Sequence, residues 1–180
     1  SESVGLLVNH QSCEAVGHAD RHKAIHAGGG QAYHDQVCGE AGVEPERTAL
    51  MGTAANMNYA SLAEYGSGGV TVLAVVTAGV TGNATCAADP TNWHETDGRF
   101  EPAAPFSGTI NTMILVNRPL SPGAHAGAAV TMAEAKGAAL QRLAVRSRYS
   151  REFATGTSTD QFCIAAPRSG GARLSSASTG

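Results

Sequence analysis

Hydrophobic positions in this chain fall into β-branched runs and one Ala-rich periodic stretch, separated by glycine- and proline-rich joints. The run from Gly69 to Val80, Gly-Val-Thr-Val-Leu-Ala-Val-Val-Thr-Ala-Gly-Val, predicts a strand buried on both faces. Thr109 to Asn117 has the same character. Shorter strands are predicted over Thr48 to Thr53 and over Gln161 to Ala166, where Pro167 ends the run. A helix is predicted to start at Ser121, a good N-cap, with Pro122 at its first position, and to run to about Val145. Ala126, Ala129, Val130, Ala133, Gly137, Leu140 and Ala144 recur at helical steps, a slim apolar face suited to close packing on a sheet. Gln11 to Ala27, stopped by Gly28 to Gly30, predicts a further helix; Gln31 to Gly39 and Tyr59 to Tyr65 predict shorter ones. Strands interleaved with helices predict an α/β fold, a single domain with a mixed sheet covered by helices.

Between Ala84 and Ser107 periodicity is lost among Pro90, Pro102 and Pro105, which predicts a long loop over 84–107. Trp93, Phe100 and Phe106 argue that this loop packs, as an anchor in the core or as a lid over a site. From Ser169 the chain is Gly- and Ser-rich, which predicts a flexible tail.

With 42% hydrophobic but only 5% aromatic residues, the core must be built from Ala, Val, Leu and Ile, which favours tight α/β layers. A formal charge of -3 gives no broad attraction to nucleic acid or to anionic lipid, so neither is an expected partner. Arg142, Arg146, Arg148 and Arg151 form a local basic cluster, read as surface charges compensating a helix C-terminus. Cys13, Cys38, Cys86 and Cys163 lie far apart with no Cys-x-x-Cys, so reduced, mostly buried thiols in a cytoplasmic protein are expected. No uninterrupted apolar run reaches the ~18 residues of an ordinary membrane-spanning helix. The chain begins with Ser, so a native start lying further upstream is compatible with it.

Candidate chemistry concentrates in the second half. His18, His22 and His26 form one stripe if helical, either a metal pair or solvent- and partner-facing residues; without a His-Glu-x-x-His pattern no metal site is assigned. Gly28 to Gly30 lacks the spacing of a phosphate cradle, and no Gly-x-Ser-x-Gly elbow occurs. Glu134 and Lys136 stand about 200° apart around a helix, so both cannot face one site. Glu134 aligns with Thr131 and is the expected functional-face residue, with Lys136 outward. The tract Ala154-Thr-Gly-Thr-Ser-Thr-Asp160 offers hydroxyls, flexible backbone N–H groups and a carboxylate, enough to polarise an amide carbonyl and orient water. A plain Asp and Thr turn is the alternative. Asn83, Asn111 and Asp89 add polar groups near strand ends.

Five ordered segments, Leu50-Met-Gly-Thr-Ala-Ala55, Val76-Thr-Ala-Gly-Val80 with Asn83, Gly108-Thr-Ile-Asn111, Thr131-Met-Ala-Glu-Ala-Lys136 and Ala154 to Asp160, make the chain resemble the adenosylcobinamide amidohydrolases from about Asn9 to Ala166. The resemblance implies hydrolysis of the amide joining a corrin ring to its aminopropanol arm, giving adenosylcobyric acid and 1-aminopropan-2-ol in corrinoid salvage. The corrinoid, adenosylcobinamide or a relative, is then substrate and no cofactor is required; a homo-oligomer is left open. Direct attack by water is expected, because no Ser-His or Cys-His pair stands out. The catalytic candidates are Asp160 and Glu134 as general base, with Thr157 and Asn111 binding the oxyanion or the ring's side amides. Substrate-binding candidates are Thr53, Asn83, Thr109, Lys136, Thr155, Thr159 and Trp93, and Thr53 or Thr157 is the alternative nucleophile. Competing functions are a non-catalytic corrinoid-binding module and an amidohydrolase of the same fold acting on another amide.

Overall fold

The computed structural model describes residues 4–11, 18–90, 93–96, 99–102 and 108–176, and the side chains of all these except 18–28, 93–96 and 99–102. In chain order the elements are β1 (Leu6–Gln11), α1 (His18–Ala41), β2 (Thr48–Thr53), β3 (Ser61–Ser67), β4 (Val70–Ala78), β5 (Ala84–Thr85), β6 (Trp93–Thr96), β7 (Arg99–Pro102), β8 (Ile110–Val116), α2 (Pro122–Arg142), β9 (Gly156–Thr157) and β10 (Gln161–Ala165). The architecture is mixed α/β, as expected.

Two strand-helix-strand units carry it. β1 and β2 pair in parallel, joined through α1. β8 and β10 also pair in parallel, joined through α2, within a four-stranded sheet of order β10-β8-β4-β3. β4 runs antiparallel to both β8 and β3. Residues alternate between the sheet's faces. One face buries Ile110, Val76, Val80, Ala84 and Ala154 with Leu140 of α2. Further along that face Val116, Leu120 and Ala124 form a second cluster with Val72, Ile114 and Ile164. On the opposite face Thr77 and Asn111 meet the β1–β2 pair.

Several expectations need correction. Tyr59 to Tyr65 is not a helix: a 3₁₀ turn at Met57–Tyr59 leads into β3. Leu-Ala-Glu is locally helix-prone, but Gly68 and Gly69, at φ 57 and 76, form the tight turn that folds this segment back onto β4. β1 is an element with no counterpart in the expected set. β4 is only half-buried over most of its length, because its partner β3 is exposed throughout and α2 covers a single face. The segment 84–107 is not one continuous loop, since β5 and the β6–β7 hairpin lie within it. The tail expected to be mobile is docked at Leu174, whose carbonyl accepts from Ser121 N–H at 2.9 Å while its side chain packs on the second cluster. Of the described cysteines, all free, Cys38 is buried and Cys86 and Cys163 are half-buried; burial pushes the Cys163 thiol up. Among the described residues no helix is long and apolar enough to cross a membrane.

The two helix ends use the same device. α1 is interrupted at Gly29, at φ 77 and ψ 168, within the expected stop, and ends at Ala41, followed by Gly42 at φ 68. There Val43 N–H reaches the Cys38 carbonyl and Gly42 N–H that of Gly39. α2 ends three residues before the predicted limit, with Val145 N–H on the Leu140 carbonyl and Ala144 N–H on that of Gln141. Ala144 therefore takes φ 53, a left-handed conformation that glycine adopts without strain. Ala144→Gly is expected to stabilise the fold by about 0.5–1 kcal/mol, raising the midpoint of thermal unfolding by about 1–4 °C.

Candidate active site

The tract Ala154 to Asp160 is held from two sides. β9 pairs with β5, which directly follows Asn83, and Arg148 N–H and Thr155 N–H bond the Ala84 and Thr85 carbonyls. Asp89 locks this joint: its Oδ2 accepts from Cys86 N–H at 2.6 Å, from Thr85 Oγ1 at 3.2 Å and from Ser147 Oγ. The hydroxyls of Ser147 and Ser150, with the backbone of Cys86, hold the Asp89 carboxyl at about 2, below the ordinary 3.8. A lowered carboxyl favours the folded state above the unfolded value and loses that contribution as pH falls from 3.8 through about 2. Asp89→Asn is expected to melt lower at neutral pH and to show a shallower loss of melting temperature over that acid window, read by thermal scans in a pH series.

At the end of the tract Asp160 gathers four donors. Its Oδ1 accepts from Ile110 N–H at 2.9 Å and from Thr157 Oγ1; its Oδ2 accepts from Thr157 N–H at 3.1 Å and from Lys136 Nζ. The Asp160 and Lys136 side chains are 15% and 21% exposed, so water still reaches the pair. Gly156 permits this approach. A Cβ there would overlap Asp160 Oδ2 and come within 2.9 Å of Lys136 Nζ.

Beside this pair lies a layer of hydroxyls organised by Asn83, which is fully buried. Its Nδ2 donates to the Gly108 carbonyl at 3.0 Å and to Thr159 Oγ1 at 3.4 Å, and its Oδ1 accepts from Ser158 Oγ at 3.0 Å. Thr159 Oγ1 donates to the Gly108 carbonyl and Thr109 Oγ1 to the Thr159 carbonyl. Gly108, at φ 121, lets its chain pass against Gly79, and Gly79 in turn packs on Ala55. Two segments distant in sequence thus meet backbone to backbone, Gly79 N–H donating to the Thr109 carbonyl at 2.9 Å, with Ala55 of a third segment beside them.

Of the expected residues, Asp160, Thr157 and Lys136 come together, and Asn83, Thr109 and Thr159 form the adjoining layer. The helix face is corrected: Lys136 faces the carboxylate, whereas Glu134 is exposed. α2 is also rotated from its expected packing, with Ala124 and Leu140 buried and Val130 59% exposed. In an Ala-rich helix both sides look apolar, so the repeat of alanines does not select one. Asn111 is buried on the opposite face, its Nδ2 donating to Asn9 Oδ1 at 2.7 Å and to the Gly52 carbonyl at 2.9 Å. Both its protons are thereby engaged, so it has none for an oxyanion. Thr53 is buried at the end of β2, its Oγ1 accepting from Ala55 N–H; Thr155 Oγ1 accepts from Ala87 N–H, away from Asp160. Trp93 opens β6, but its side chain lies outside the described residues, as do those of Phe100, Phe106 and the stripe His18, His22 and His26. Within the basic cluster only Arg142 belongs to the last turn of α2; Arg146 stacks on Phe153 at 4.2 Å. Ser158, Gly156 and Asn9 were legible only as members of their segments, since nothing in their spacing singles them out.

Comparison with known proteins covers the whole chain. Residues 1–180 match the sequence profile of a family described as adenosylcobinamide amidohydrolase. A protein of Methanocaldococcus jannaschii, named uncharacterized protein MJ1613, is 34% identical over 142 residues, which are 73% of this chain and 55% of that protein. The chain thus spans about half the length of this curated relative. No solved structure matches.

Proposed function

The chain belongs to the adenosylcobinamide amidohydrolase family, and from that premise we propose that it hydrolyses the amide linking the corrin ring of adenosylcobinamide, or a related cobamide, to its aminopropanol arm. The products are adenosylcobyric acid and 1-aminopropan-2-ol, and the corrinoid is substrate rather than cofactor. The observation carrying this proposal is the ion pair of Asp160 with Lys136, which joins three of the family-like segments, Gly108 to Asn111, Thr131 to Lys136 and Ala154 to Asp160.

Amide hydrolysis needs a donor for the developing oxyanion and an acceptor for the nucleophile's proton. Lys136 has three N–H donors and directs one to Asp160, which leaves two for the oxyanion. The four lone-pair positions of Asp160 are occupied, so it acts through Thr157. Water attacks the carbonyl carbon and gives its proton to Thr157 Oγ1, as the threonine's own proton passes to Asp160 Oδ1. The C–N bond then breaks, and the leaving amine takes up a proton by the same route. Because Thr157 Oγ1 donates to Asp160, a second route is open, in which Thr157 Oγ1 gives its proton to Asp160 and itself attacks, and water then releases the acyl group.

Purified protein is incubated with adenosylcobinamide, and adenosylcobyric acid and aminopropanol are measured by mass spectrometry. Both products are expected, and acid-quenched protein should carry no added mass on the peptide containing Thr157. An acyl adduct there would establish the threonine route. Bound but uncleaved corrinoid would replace the enzyme with a binding module, and neither binding nor cleavage would remove the corrinoid from the account.

A further inference from the structure

Ser158 is the one hydroxyl between Thr157 and Asp160 that combines partial exposure with a direct bond to the Asn83 oxygen. Its orientation follows from a chain of constraints. The Gly108 carbonyl can only accept, so the nitrogen of the Asn83 amide must face it, at 3.0 Å. The Asn83 oxygen is thereby turned to Ser158 and can only accept. The Ser158 hydroxyl therefore directs its single proton inward, to Asn83 Oδ1 at 3.0 Å. A hydroxyl carries one proton and two lone pairs. What Ser158 has left is acceptor capacity alone.

The neighbouring hydroxyls are turned inward too. Thr157 donates to Asp160, Thr159 to the Gly108 carbonyl, and both are acceptors for other groups of the same layer. Thr157 is committed to its bond with Asp160, whereas Ser158 is half-buried and bonds Asn83 instead. Donor and acceptor roles are thus divided between α2 and the tract. Lys136 supplies donors to the site, and Ser158 supplies an acceptor set by a fully buried amide.

We propose that Ser158 Oγ is a substrate-reading residue that accepts a hydrogen bond from an amide N–H of the substrate, with Asn83 as the positioning residue that fixes its polarity. This role rests on the amide-hydrolase function proposed above. A carbonyl or ether oxygen presented to the same point would face a lone pair and be rejected, so Ser158 selects amides over the corresponding esters. Two groups of a corrinoid offer such an N–H: the scissile secondary amide and the primary carboxamides on the ring periphery.

The test compares wild type, Ser158→Ala and Ser158→Thr on adenosylcobinamide and on the analogue in which the scissile amide is an ester. Reading of the scissile N–H predicts that Ser158→Ala lowers kcat/KM on the amide about tenfold, leaves the ester unchanged, and that Ser158→Thr restores the amide rate. An equal fall on both substrates, carried by KM and restored by Thr, assigns the contact to a ring carboxamide. Equal fall carried by kcat and not restored by Thr marks a merely structural residue and overturns the proposal. Unchanged rates on both substrates overturn it as well, while wild-type cleavage stands. A wild type that cleaves neither substrate removes the hydrolase function itself, and the role of Ser158 with it.

Discussion

Asp160→Asn is expected to abolish measurable turnover, a loss of about 10³-fold or more, and to cost about 2–3 kcal/mol of stability. The amide introduces N–H groups where Lys136, Thr157 and Ile110 already donate. Breaking one member of a buried pair costs about 3–5 kcal/mol. The figure here is lowered because Asp160 and Lys136 remain 15% and 21% exposed, so the abandoned ammonium recovers some hydration. At about 2–4 °C per kcal/mol for a chain of this size, melting should fall by about 4–12 °C. Lys136→Met should lose about 10²–10³-fold in rate, the scale of removing one oxyanion donor. The double variant separates the two roles. Its loss of stability should fall short of the sum of the two single losses by about 1–3 kcal/mol, because neither charge is left alone, while its activity stays absent. Glu134→Gln, on the exposed side of α2, should keep turnover within about twofold and melting within about 0.5 kcal/mol. Full activity in Asp160→Asn would remove the proposed mechanism.

Gly108→Ala should produce the largest loss of stability, about 3 kcal/mol or more, with little soluble protein at 37 °C as the practical sign. At φ 121 an L side chain is strained, and its Cβ would overlap the Gly79 carbonyl oxygen, a backbone atom that cannot swing aside. Gly79 is itself tied to the same segment, since its N–H donates to the Thr109 carbonyl at 2.9 Å. The same substitution at Gly137 is the control. That glycine lies inside α2 with nothing within 4 Å of an added Cβ, so Gly137→Ala should stabilise by about 0.5–1 kcal/mol. Thermal melts of the two variants therefore move in opposite directions. A Gly108→Ala protein as stable as wild type would mean that the crossing of these segments is looser than described.

Local pattern was enough for the elements whose chemistry is self-contained. The strands at Thr48–Thr53 and around Val70–Ala78, Ile110–Val116 and Gln161–Ala165 announce themselves by β-branched runs with glycine or proline at their ends. The start of α2 is written in Ser121 and Pro122, and the Ser121 hydroxyl does accept from Ala124 N–H at 3.1 Å. The hydroxyl tract and its carboxylate were also visible, because no packing need explains so many small polar residues in a row. By itself, then, the amino-acid order determined the α/β class, these elements and the segments that place the chain in its family.

Tertiary structure decided what depends on groups far apart in the chain. β3 is a strand because a diglycine turn returns it to β4, against the helical leaning of its own residues. Lys136 rather than Glu134 faces Asp160 because the roll of α2 is set by where Ala124 and Leu140 find the sheet, and a helix of alanines leaves that roll open. Asn111 is equally polar in the sequence whether it serves a substrate or a strand, and only its bonds to Asn9 and Gly52 show its protons already engaged. The direction of the Ser158 proton is the extreme case. It follows from the Gly108 carbonyl by way of Asn83, across separations of 25 and 75 residues, and no local propensity carries that information.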